Sequence, residues 1–173
     1  TSDGSVVCLA RTSPDFTAYR IVDGSASAIA TALGEIEVVA SPNGACWTID
    51  NLSGLRRSDA NGSLDFGPGV FSIAPDPFGD GVWVTYDDGG GPPFPMGWID
   101  DTGVFVDGFE LPGDPTSEVR VTRACASASA LPPYCREVWV AIGSQTVYRF
   151  DGAGGALDSW ILPAGTLTDL IVR

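Results

Sequence analysis

The chain has 173 residues, 22 acidic against 9 basic, for a formal charge of −13 at pH 7. A surface of that sign repels phosphate backbones and anionic lipid headgroups, which excludes nucleic-acid binding and membrane-surface roles. Histidine is absent, and with it go Ser-His-Asp and Cys-His catalysis and the usual nitrogen ligand of zinc. Apolar residues at 44% with 18% charged indicate a packed core, and 22 Gly with 13 Pro suit short strands joined by tight turns. No apolar run reaches the ~18 residues of a membrane-crossing helix, so no membrane insertion is expected. The opening Thr1, without Met or leader, reads as a processed or excised chain.

In chain order, the first predicted strand is GSVVCLAR, followed by AYRIVDG with an Asp-Gly turn at 23–24 and then SASAIATAL. EIEVVAS opens a second group, continued by GACWTID, by LRRSDANG with its Asn-Gly turn, and by SLDF. VFSIAPD, DGVWVTYD, GWIDDTG and VFVDGFELP form the third, and EVRVTR, REVWVAIG, VYRFDGAG and ALDSWILP the fourth. TDLIVR ends the chain. Asp-Gly and Asn-Gly supply the positive φ that hairpin turns require. Trp47, Trp83 and Trp139 recur at one place in these groups, with Val7 at the matching place in the first.

A four-strand period with no helical stretch predicts an all-β fold, a small β-propeller of four blades of four antiparallel strands. The first group lacks one strand and the chain ends on one to spare, so the N- and C-terminal strands are expected to complete one blade between them, leaving no bare sheet edge. The expected blades are 5–33 with 168–173, 35–66, 70–111 and 117–163, in a single domain with a loop insertion at 113–136. A β-sandwich is the competing architecture, but it predicts no such period.

The run VWVAIGSQTVYRFDGAGGALDSWILP resembles blades of the NHL and virginiamycin-B-lyase-like propellers, and the other groups follow the same motif in degraded form. Lyases of that superfamily depend on a histidine, so the resemblance brings no lyase site here. The gluconolactonase-like propellers it also implies hold a divalent cation in the central channel through Glu, Asn and Asp, which makes Ca²⁺ the one cofactor to consider. Glu37, Ser72, Arg120 and Leu170 align on the four innermost strands, where a Glu37–Arg120 ion pair would plug the channel. Asp59, Asn61 and Ser63 alternate as a weak cation-binding turn would, and also as an ordinary hairpin turn does.

The Gly- and Pro-rich stretch at 89–98 carries Phe94, Met96 and Trp98. With Trp160 these are the expected contact surface, since exposed aromatics commonly anchor a partner or stack on a sugar. Cys125 and Cys135 bracket a small Pro-containing segment and are expected to be bonded; Cys8 and Cys46 are either a second bridge or two buried thiols. An even cysteine count fits an extracytoplasmic location, whether secreted, periplasmic or cell-surface. The expected function is a non-catalytic binding or assembly module that meets another protein through third-blade loops. A Ca²⁺-dependent lactonase or hydrolase using channel carboxylates and a carbohydrate-binding lectin are the alternatives.

Overall fold

A computed structural model describes residues 6–11, 16–32, 36–50, 54–76, 81–86, 95–111, 119–120, 137–142, 146–151 and 153–163. These residues form fifteen β-strands and no helix. The first sheet is β1 (Val6–Arg11), β2 (Phe16–Val22) and β3 (Ser25–Ala32). The second is β4 (Ile36–Ala40), β5 (Cys46–Asp50), β6 (Gly54–Asp59) and β7 (Gly62–Gly67). The third is β8 (Val70–Pro75), β9 (Val82–Tyr86), β10 (Pro95–Ile99) and β11 (Phe105–Glu110). The fourth is β12 (Val119–Arg120), β13 (Glu137–Ile142), β14 (Thr146–Asp151) and β15 (Ala156–Ile161). Each is an antiparallel meander in chain order. The expected closing strand 168–173 lies outside the described residues, as do Cys125, Cys135, nearly all of the 113–136 insertion, Phe94 and Leu170.

Turn chemistry sets the hairpins. Asp23 (φ 49°) and Gly24 (φ 78°) lie between the paired ends Val22 and Ser25. In the third sheet Asp100 accepts from the backbone N–H of Thr102 and Val104 at 2.9 and 2.8 Å, while Gly103 takes φ 86°. Asp151 does the same for Ala153 and Gly155 at 3.0 and 2.7 Å. A carboxylate accepting several N–H groups fixes a turn that a Cβ-bearing residue would otherwise resist.

Alternation along the strands gives every sheet two faces. The face carrying Trp47, Trp83 or Trp139 is here called the front. Trp47, Leu55 and Ile49 pack from the second sheet's front onto Ile73, Val82, Val84 and Ile99 on the third sheet's back. Trp83, Met96 and Trp98 on the third sheet's front pack in the same way against Val138, Val140 and Phe150 on the fourth sheet's back. Between the first and second sheets the link is covalent, a Cys8–Cys46 disulfide, supported by Arg20 Nε donating to the Gly44 carbonyl at 3.2 Å. The sheets therefore stack in chain order, front to back.

Register corrects one expectation. Trp47 pairs with Arg57 and Trp139 with Arg149, each arginine two residues before the last strand residue ahead of the turn. The residue so placed in the first sheet is Arg20, and its partner is Cys8, not Val7. A disulfide half thus occupies the site where the later sheets carry an indole.

Candidate binding faces

The aligned residues of the first strands do share one level. Glu37 pairs with Ile49, Ser72 with Thr85 and Arg120 with Ala141, each partner two residues beyond the Trp of its sheet. Ser72 is buried and Glu37 half-buried. Among the described residues no three or more acidic or cysteine side chains come together as a metal cluster would require.

At the second sheet's turn, Asp59 Oδ1 accepts from the Asn61 N–H at 2.6 Å, and Oδ2 accepts from Arg57 Nη1 at 2.7 Å. The Asn61 N–H is the main cause holding this carboxyl below its ordinary range; burial opposes it, and the Arg57 guanidinium and the Gly62 N–H assist. The Ser63 hydroxyl lies 2.8 Å from that of Ser58. Asp59, Asn61 and Ser63 are thus engaged in closing their hairpin. At Asp100, burial raises the carboxyl pKa, but hydrogen bonds from the Thr102 hydroxyl and from the N–H groups of Val104, Thr102 and Gly103 outweigh it, and the pKa is lowered.

The expected aromatic surface changes most. Met96 and Trp98 are 0% and 3% exposed, inside the core shared by the third and fourth sheets. The reason is strand length: β10 begins at Pro95, so Met96 and Trp98 are alternate front-face residues of a strand rather than the tip of a loop. Trp160 is exposed, at 41%. Sequence reasoning missed Val104 and Phe105, exposed at 56% and 43% on and beside the third sheet's hairpin turn. The polar GWIDDTG pattern concealed them, because the turn ends one residue before an apolar pair.

A second recurrence emerges only in three dimensions. On the outermost strand of the second, third and fourth sheets an aromatic ring meets the repeat Trp: Phe66 stacks on Trp47 at 5.5 Å, Phe109 lies 6.4 Å from Trp83, and Trp160 stacks on Trp139 at 5.1 Å with 7° between planes. The first two outer rings are seats for the next sheet. A Cβ on Gly103, in the third sheet's turn, would fall on the Phe66 ring, and one on Gly154, in the fourth sheet's turn, on Phe109. Trp47 and Trp83 are wholly buried as a result, whereas Trp139 is half-buried, with the Arg149 guanidinium 5.8 Å from its ring centre.

No family model matches the chain, so the NHL-type resemblance rests on its blade motifs alone, and no curated protein matches either. Among solved structures the chain is similar to the crystal structure of the N-terminal domain of Nup159, at 12% identity and a TM-score of 0.47. The match covers 88% of this chain and 46% of that one, so the chain spans about half the length of that neighbour.

Proposed function

We propose that the protein is a non-catalytic β-propeller-type module, its four sheets acting as NHL-like blades, that holds a partner protein outside the reducing cytosol. The observation that carries this reading is the pair Val104 and Phe105, exposed beside a turn pinned through Asp100. An apolar contact already fixed in place loses little conformational freedom on binding, which is what favours tight association. Placement on the third sheet keeps the contact in the region where the loop-rich sequence predicted one. The Cys8–Cys46 bridge supports a location where disulfides persist.

The test is a photo-crosslinking residue at position 104 in extracts of the source cells, with adducts identified by mass spectrometry. One dominant protein adduct is expected, lost at least tenfold when Val104→Glu is tested with that protein in a binding assay. Binding unchanged in Val104→Glu, with the fold intact by circular dichroism, would refute the proposal.

A further inference from the structure

Three seams join the four sheets, and each sets the front of one against the back of the next. Among the described residues this leaves two faces unmatched: the front of the fourth sheet and the back of the first. The fourth sheet's front carries Trp139, Arg149 and Trp160, with Arg149 paired to Asp158 and lying 4.0 Å from Glu137. Its tryptophan is half-buried where Trp47 and Trp83 are fully buried, and among the described residues no turn glycine lies upon its outer ring, Trp160. The first sheet's back presents Tyr19 and Ile21, half-buried, beside Ala26 and Ala28, both exposed and paired with them in register. This face is apolar, as the third sheet's back is where Trp47 packs on it. Its turn glycine, Gly24, has positive φ as Gly103 and Gly154 do, yet among the described residues a Cβ there would meet nothing within 4 Å. Among the described residues both halves of a further seam are thus present on one chain, and Trp160 on one and Ala26 and Ala28 on the other are open to solvent.

We propose that the front of the fourth sheet is an interface for a second copy of this chain, which seats the back of its first sheet on Trp139 and Trp160 and its Gly24 turn over the Trp160 ring. The inference rests on the reading of the sheets as blades, but not on the partner protein at Val104. It continues the existing seams without a new kind of contact. A head-to-tail pair that closes would place four sheets from each chain in one ring, eight in all, the upper end of the common propeller range. Closure of that kind leaves neither face bare and prevents open-ended growth.

Light scattering coupled to size exclusion tests it. The unmodified chain is expected at twice its 18.0 kDa mass. Trp160→Glu breaks one side of the seam and Ala28→Glu the other, at exposed positions. Each variant alone is expected to run as a monomer with unchanged far-ultraviolet circular dichroism. Mixing the two is expected to restore the doubled mass, because one variant keeps a sound front and the other a sound back. A chain that stays at 18.0 kDa up to high micromolar concentration would overturn the inference, and crosslinking at position 104 would still report on the partner separately. A dimer that survives Ala28→Glu would overturn it too, pointing instead to edge-to-edge pairing of β15.

Discussion

At the residue scale, aspartates account for much of the local order and for part of the acid sensitivity. Asp100 has a folded pKa below its ordinary value, so it adds stability above the unfolded value near 3.9 and loses that contribution as pH falls through its lower folded value. Asp100→Ala is expected to cost about 1 kcal/mol at pH 7, a figure kept small by the turn's exposure. The difference from the unmodified chain should shrink as pH falls through the lowered folded value. Urea titrations at several pH values measure it, and a penalty unchanged at acid pH would contradict the account. These turns were legible in sequence, since Asp-Gly and Asn-Gly carry their own conformational logic. The contact residues were not: whether Trp98 is a loop tip or a strand residue depends on where β10 starts, and Pro95 obscures that boundary because proline is uncommon inside strands.

Among elements, the seams decide stability. Gly154 has φ 88° and touches Phe109, so Gly154→Ala combines backbone strain with overlap against a ring held near Phe150. We expect a loss of about 2–3 kcal/mol. Gly24→Ala has the same backbone conformation without a neighbour among the described residues and should lose only about 1 kcal/mol. Thermal melts of the two variants separate packing from strain, and equal shifts would refute the seam. The four-strand rhythm was readable from the recurrent Trp because that position lies on the same face of the same strand in each later sheet. Apolar character alone points to Val7 in the first sheet, whereas the shared Tyr-Arg pair, Tyr19-Arg20 and Tyr148-Arg149, fixes the register on Cys8. The outer aromatics Phe66, Phe109 and Trp160 stayed hidden because bulges shift their spacing from the turn between sheets.

For the whole molecule, the first seam differs in kind from the other two. A disulfide with a sequence separation of 38 replaces the indole contact between the first and second sheets. Restricting the unfolded chain over a loop of that length is worth about 3–4 kcal/mol in the chain-entropy account. Reduction, or Cys8→Ala with Cys46→Ala, should lower the unfolding midpoint and loosen the first sheet before the rest. Hydrogen exchange would report this as faster exchange in β1 to β3 than in β8 to β11. Uniform acceleration across all four sheets would argue against a locally stapled seam.

The five tryptophans are distributed unevenly between core and solvent, and this gives the protein optical properties that can be read without a label. Trp47, Trp83 and Trp98 lie in the interior, while Trp160 is open to water. A neutral collisional quencher such as acrylamide would reach that corner and extinguish the red-shifted part of the emission first. The blue-shifted core signal would persist until the sheets separate. Two colours of fluorescence from one chain would therefore follow two events, the covering of the fourth sheet and the melting of the stack behind it.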